Sequence, residues 1–415
     1  MAGLAITKSL SRGRLASIAD GLVVAVAVSL PWSTSATAIL AVLWIVTLIP
    51  TLHWVDIRRE LAMPAGGLPV LLVGLGIVGM LWADVSLVER WKGLDSFFKL
   101  LAIPFLLAQF RRSDRGNWVF AGYLFSCMAL LVATAVVVVT PLAPALIHFD
   151  NVLVKNAATQ SGEFVICIFG LLFLASETID GRRWLTTIGI IAIILAMLAD
   201  ILYVSTGRTA LATIPILLIL FTLKKLKPWG IALAFGGAVL IGLVVWASSP
   251  YLRFRTAAIW TEVQKYEATD ERTSSGERIE FWKKSIEFVR EAPLIGHGTG
   301  SIGSLFEKAA AGQTGAAGVA AVNPHNQTFA VAIQLGFVGV ITLWAMWIAH
   351  LSLFRGNGLA EWIGLVVVAQ NIVGSLFNSH LFDFVQGWVY VIGVGVAGGV
   401  TLKRRKLEMD TRQRS

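Results

Sequence analysis

Apolar windows long enough to cross about 30 Å of hydrocarbon recur from one end of this chain to the other, and they constrain its fold more than any other feature. They read at about Ser17–Trp32, Ser35–Val55, Gly67–Trp82, Ser96–Phe110, Asn117–Thr140 and Gly162–Ala175. Six more follow at about Trp184–Val204, Thr209–Leu223, Trp229–Ala247, Gln327–Leu351, Glu361–Phe377 and Gln386–Leu402. A chain of 415 residues that is 56% hydrophobic and 14% charged exceeds the ~45–50% apolar content of soluble globules. The expectation is an all-α polytopic membrane protein with about twelve spans, because a backbone in lipid must satisfy its own hydrogen bonds.

The net charge of +9 is distributed over alternate loops instead of one patch, so nucleic acid is not the expected partner. Arg12, Arg14, Arg58, Arg59, Arg111, Arg112, Arg115, Arg182, Arg183, Lys224, Lys225, Lys227, Arg355 and the Lys403–Lys406 run fall in one set of loops. Only Arg90, Lys92, Lys155 and Arg208 fall in the short loops of the other set. The positive-inside rule then predicts cytoplasmic termini and an outer loop over 248–326. The organisation expected is nine spans over 1–247, that loop with amphipathic helices, three spans over 327–402 and a basic cytoplasmic tail over 403–415. Arg12 and Arg14 before an apolar run, with Ala36-Thr37-Ala38 behind it, also resemble a secretory signal, retained here as an anchor. Cys127 and Cys167 lie in apolar windows and offer neither a disulfide framework nor a zinc spacing.

A loop of roughly eighty residues is far longer than ordinary connections and points to function. Ile259, Val263 and Tyr266 share a helical face, and Ile279, Trp282, Ile286 and Val289 form a second apolar stripe. These predict two amphipathic helices lying on the membrane surface or roofing a cavity. Ser274 and Glu277 read as a capping box, and Pro293 with Gly296 as a stop. The Ala- and Gly-rich tract Ala309–Ala321 has little to pack with and is expected to be mobile.

Candidate chemistry gathers at the outer ends of the spans. His325 follows Asn323-Pro324, which predicts an imidazole beside the first turn of a membrane helix, at the bilayer surface. Such a histidine can act as a general base near neutral pH, the alternative being an interfacial residue that caps or packs. Arg208 has no acid nearby in sequence, so a phosphorylated ligand is its natural partner unless it snorkels to the interface. Arg278 sits in the first turn of the second loop helix, where the dipole disfavours a cation. A bound anion would relieve that conflict; pairing with Glu277 or Glu280, or solvation, is the alternative. Arg253 and Arg255 are weaker anion ligands, better read as interfacial anchors, and Lys155 with Asn156 could touch a sugar or phosphate. Asp383 could orient a base or bind sugar hydroxyls, though it is better read as a solvated loop acid. The Gly296–Gly300 cluster and the pair Gly336 and Gly339 carry turn geometry and close packing, not a phosphate loop. Trp82, Trp91 and Trp388 read as an interfacial belt. No Asp-x-Asp pair occurs, so no metal site is expected.

Three motifs resemble those of the O-antigen ligases, within the O-antigen ligase and polymerase superfamily. His325-Asn326, nine residues, Gly336, two residues and Gly339 resembles the ligase signature. Arg208 in its Ser-Thr-Gly-Arg turn resembles the family's arginine between two spans, and Arg278 with Trp282, followed by Pro293-Leu294-Ile295-Gly296-His297-Gly298, resembles a third segment. His297 departs from the aromatic residue often found there. The resemblance implies a GT-C-like glycosyltransferase of the inner membrane that needs no cofactor. It would move O-antigen from undecaprenyl pyrophosphate to the lipid A core at the periplasmic face, among membrane lipids. His325 would serve as base, Arg208 and Arg278 would hold the pyrophosphate, and Asn326, Lys155, Arg253, Arg255 and Asp383 would contact substrate. An O-antigen polymerase and a protein O-glycosyltransferase share the donor chemistry. A lipid or sugar transporter is the alternative outside enzymes, and should instead place its polar residues near the bilayer midplane.

Overall fold

A backbone that lies in an apolar medium must close its hydrogen bonds locally, and every regular element of the computed structural model is helical among the described residues. Those residues are 2–140, 153–205, 207–225, 236–237, 243, 246–247 and 250–413. In chain order the helices are α1 (Ala2–Ser29), α2 (Thr34–Leu48), α3 (Trp54–Ala62), α4 (Pro64–Gly79), α5 (Leu87–Phe98) and α6 (Ala102–Phe110). Next come α7 (Gly116–Val139), α8 (Ala157–Asp180), α9 (Trp184–Tyr203), α10 (Arg208–Lys225) and α11 (Pro250–Thr269). The chain ends with α12 (Ser274–Glu291), α13 (Ile302–Ala310), α14 (Gln327–Leu353), α15 (Leu359–Gly374) and α16 (Phe384–Arg412), the last carrying the helix through most of the basic tail.

Seven of the described helical stretches are long and apolar enough to cross a membrane, or eight if α3 and α4, bent by 87°, count as one. The twelve expected spans are therefore not all recovered, for identifiable reasons. The last eighteen residues of α1 include Arg12, Arg14 and Asp20, α10 carries Arg208, Lys224 and Lys225, and α15 is only 16 residues long. The expected span Trp229–Ala247 lies almost wholly outside the described residues. The core runs between α1, α2 and α7 at one side and α4, α6, α8, α10, α14, α15 and α16 at the other, with Trp44, Phe97, Phe164, Trp362 and Tyr390 fully enclosed.

What positions the loop is a break in α14. Gly336 has φ +60° and ψ −158°, a region open essentially to glycine alone, so the pair Gly336 and Gly339 is not simply two small residues on a continuous helix. Breaking a helix leaves carbonyls and N–H groups without partners, and the segment 293–300 supplies them. His297 and Gly298 donate their N–H groups to Ile333 O and Gln334 O at 2.8 and 2.9 Å, while Phe337 N–H reaches Pro293 O at 2.8 Å. The same strap reaches α4, where Thr299 Oγ1 donates to Gly76 O at 2.6 Å and its N–H to Gly79 O at 3.1 Å. Trp82, read above as part of a belt, donates its indole N–H to Gly296 O at 3.2 Å. A Cβ on Gly336 would lie 2.3 Å from the Leu294 carbonyl carbon, so the strap and the break fit only around a glycine. Residues Ala330–Gly336 are buried by protein, and the exposed apolar stripe of α14 (Phe337, Ile341, Trp344, Ile348) begins just past the break.

In the loop, α11 and α12 pack on each other, and α12 packs on α14. The cap of α12 is Thr273, one residue earlier than expected, whose Oγ1 accepts Gly276 N–H at 3.0 Å. Glu277 pairs with Arg272 instead of closing a capping box. The enclosed stripe of α12 is Phe281, Ser285 and Phe288, not the predicted one: Ile286 is 41% exposed. Phe281 and Phe288 face Phe306 of α13 edge-on, and these aromatic contacts rotate the helix away from its aliphatic stripe. The Ala- and Gly-rich tract packs, contrary to expectation. Small side chains let its backbone approach closely, so Ala316 N–H reaches Asp270 O at 2.9 Å, Lys284 donates to Ala317 O, and Ala310, Ala316 and Ala321 are buried.

Replacing Gly336 by alanine forces both a disfavoured backbone region and a steric overlap, and should destabilise the protein by about 1–3 kcal/mol or more. Gly170, whose Cβ would meet nothing within 4 Å, is the control. Thermal unfolding in detergent should show a lowered midpoint for Gly336→Ala and none for Gly170→Ala; equal midpoints would disprove the role of the break.

Candidate active site

Two short loops meet at His325. Its φ of +52° is unusual for a residue with a side chain, and the backbone is held there because His325 N–H donates to Asn323 Oδ1 at 2.9 Å. A backbone N–H can only donate, so that atom of Asn323 is the carbonyl oxygen, which also accepts from Ser379 Oγ at 2.7 Å. The amide nitrogen of Asn323 then points to Asn378 and donates to its Oδ1 at 3.0 Å. Since Asn378 Oδ1 is an acceptor, the imidazole Nδ1 beside it at 3.1 Å is the protonated nitrogen. Nε2 keeps its lone pair. The ring stacks on Phe281 with centroids 6.0 Å apart and planes 17° from parallel. Burial, then the charge of Arg278, pushes the His325 pKa below the ordinary 6.5, against smaller opposite effects of Asn378 and Glu277. At neutral pH the ring is a neutral base.

The helix that follows begins at Gln327, where its apolar window begins, and not at Pro324. Asn326 is the N-cap of α14, accepting Phe329 N–H at 3.1 Å and donating to Leu376 O at 3.2 Å, so Pro324 and His325 precede the helix. Its amide is occupied by the backbone and does not project as a ligand.

Arg208 opens α10 and is not the unpaired cation that its neighbours in sequence suggest. It forms an ion pair of 3.3 Å with Glu262 of α11 and reaches Ser275 Oγ at 3.4 Å. Burial alone would raise the Glu262 pKa, but hydrogen bonds from Ser275 and Arg208 outweigh it and hold the carboxylate below the usual range. Arg278 differs: neither Glu277, paired with Arg272, nor Glu280, bonded to the Tyr266 hydroxyl, takes it up. Among the described residues its guanidinium has no hydrogen bond or ion pair. Burial, then the nearby charge of Arg208, lowers its pKa, with Glu262 acting the other way. Arg278 is thus within electrostatic reach of both His325 and Arg208, although the three come from separate segments. Trp282, one turn after Arg278, has a buried indole N–H without a partner among the described residues.

The remaining candidates stand elsewhere. Lys155 donates to Leu30 O at the end of α1, and burial lowers its pKa; Asn156 caps α8 by accepting Thr159 N–H at 2.8 Å. Arg253 donates to Ala247 O at 2.6 Å, and the side chain of Arg255 lies outside the described residues. Asp383 does not orient the base: its Oδ1 caps α16 through Val385 and Gln386 N–H groups at 2.9 and 3.0 Å. The residue that does so is Asn378, five positions earlier. Lys99 was also missed, because a lysine in an apolar window gives no hint of its partners. It donates to the carbonyls of Phe382 and Asp383 at 2.9 Å each and fixes the turn behind Asn378.

A neutral imidazole with a free Nε2, near a half-buried guanidinium that is unpaired among the described residues, can accept a proton beside a group that attracts an anion. Residues 192–344, which contain Arg208, Arg278, His325, Gly336 and Gly339, match the family model described as O-antigen ligase. The segment that carries all three motifs is therefore that of the O-antigen ligase family, as the motifs themselves indicated. The chain is also similar to a protein of Haemophilus influenzae described as uncharacterized. The two are 25% identical over 190 residues, which cover 44% of this chain and 48% of that protein, about half its length.

Glu262 occupies a guanidinium that an incoming anion would use. Glu262→Gln should tighten the binding of inorganic pyrophosphate roughly two- to fivefold, the scale of a partly exposed ion pair. Calorimetric titration of the purified protein in detergent checks this, and unchanged or weaker binding would place the anion away from Arg208.

Proposed function

We propose that this protein is a metal-independent glycosyltransferase of the O-antigen ligase kind. It transfers O-antigen from undecaprenyl pyrophosphate to a sugar of the lipid A core at the periplasmic face of the inner membrane. The observation that carries the reading is the free Nε2 of His325 within electrostatic reach of Arg278, which is unpaired among the described residues. In the reaction the acceptor hydroxyl oxygen attacks the anomeric carbon and its proton passes to His325 Nε2. The bond from that carbon to the pyrophosphate oxygen breaks, and its electron pair leaves with the pyrophosphate. Arg278 and Arg208 meet the charge that develops there, and their planar forks suit phosphate oxygens. A single displacement inverts the anomeric centre. The alternation of basic loops supports cytoplasmic termini and a periplasmic 248–326 loop, and the all-helical membrane architecture is compatible with a GT-C-like enzyme.

Purified protein with lipid-linked donor should glycosylate lipid A core; glycan growth on the donor lipid instead would make it a polymerase, and no transfer to either acceptor would refute the reading. His325→Ala should lower turnover by about 10²–10⁴-fold with normal abundance in the membrane.

The pH profile follows from the lowered pKa of His325. The neutral ring is the active form, so the acid limb of kcat/KM should have its midpoint below the ordinary 6.5. Asn378→Asp puts a carboxylate against Nδ1, stabilises the imidazolium and should move the acid limb upward. An acid limb above 6.5 that Asn378→Asp leaves in place would remove His325 as the base.

Activity should also survive excess EDTA, since guanidinium groups supply the positive charge that a pyrophosphate leaving group needs. Loss on chelation with recovery on Mg²⁺ or Mn²⁺ would overturn the arginine mechanism.

A further inference from the structure

Beside the His325 loop lies an open cleft of about 490 Å³, within the range of ligand sites, ~300–1,000 Å³. Helix α5 contributes Glu89, Lys92 and Ser96, α13 contributes Glu307, and the two site loops contribute Asn323 and Asp383. Gly303 leaves part of its wall free of a side chain, while Gly93 and Gly300 let the backbones of α5 and the strap approach closely. Several of these polar groups are already committed: Glu89 to Ser86, Asn323 to the base loop, Asp383 to the cap of α16. Lys92, Ser96 and Glu307 have no hydrogen bond or ion pair among the described residues, so a donor, a hydroxyl and a carboxylate stand free for a ligand.

The charge balance decides what that ligand can be. Three carboxylates against one ammonium, with no arginine in the wall, repel a pyrophosphate, whose cations stand on α10 and α12. Hydroxyl groups, in contrast, donate to carboxylates and accept from an ammonium, which suits an uncharged saccharide. Asn323 and Pro324, immediately before His325, and Ser379, immediately after Asn378, line the cleft, so a sugar seated there abuts the loops that carry the base and its orienting amide. We propose that this cleft binds the glycan of the acceptor, a neutral oligosaccharide held through its hydroxyl groups by Lys92, Ser96 and Glu307. The assignment of the occupant as acceptor rests on the glycosyl-transfer reading above; the saccharide site itself does not.

The test uses the full chain in detergent, with Glu307→Gln to weaken hydroxyl recognition and Gly303→Leu to fill space that is open in the structure. Saturation-transfer NMR with delipidated core oligosaccharide reads binding directly, and steady-state kinetics separates the KM of acceptor from that of donor. Each variant should weaken oligosaccharide binding and raise the acceptor KM about tenfold, leaving the donor KM within about twofold. A rise in donor KM with unchanged acceptor KM would assign the cleft to the donor's glycan and overturn the proposal. Unchanged binding and unchanged constants in both variants would overturn it outright. If the wild-type protein transfers nothing yet binds the oligosaccharide, and both variants lose that binding, the saccharide site stands while the transferase reading falls.

Discussion

The exchange of backbone hydrogen bonds between the strap at 293–300 and the broken turn of α14 is the constraint on which the site depends. At Gly336 the helix gives up its own pattern, and the strap restores a partner to its orphaned carbonyls at Ile333 and Gln334. Arg278 is carried by the helix that ends at the start of this strap, and His325 precedes the helix that the strap enters. Neither could be placed against the other by side-chain packing alone with comparable precision, because backbone bonds have fixed directions whereas apolar contacts do not. Thr299 extends the same strap to α4 and ties the loop to the membrane part of the protein.

Electrostatics then does the selective work. Burial beneath Phe281 and the charge of Arg278 favour the neutral form of His325, against the smaller opposing effect of the Asn378 hydrogen bond, which orients the ring. Arg208 is held by Glu262 and Ser275, while Arg278, at half-buried depth, has no partner among the described residues. The pair of arginines is therefore asymmetric in its environment.

The sequence made the membrane architecture legible wherever apolar runs were long, because the hydrophobic pattern is a local signal. It also marked His325, Arg208 and Arg278, whose residue types are conspicuous at the ends of such runs. It failed where partners are distant along the chain. Glu262 lies 54 positions from Arg208 and Asn378 lies 53 from His325, and no local pattern encodes either pairing. The Ala-rich tract misled for a related reason. Its lack of bulky side chains reads as having nothing to pack with, yet small residues are what allow Asp270 and Lys284 to bond directly to its backbone. In α12, two apolar stripes competed, and the aromatic partners on α13 chose between them.

The protein-enclosed first turns of α14 have a consequence for size. Between Asn326 and the break at Gly336, at about 1.5 Å per residue, the helix spans roughly 14 Å before its first exposed apolar residue, Phe337. The imidazole thus stands at the protein-walled end of α14, away from the exposed apolar stripe of the helix. On the proposed reaction the acceptor hydroxyl must enter between those walls to meet Nε2, so the space that protein side chains leave there limits the size of the group that can be glycosylated.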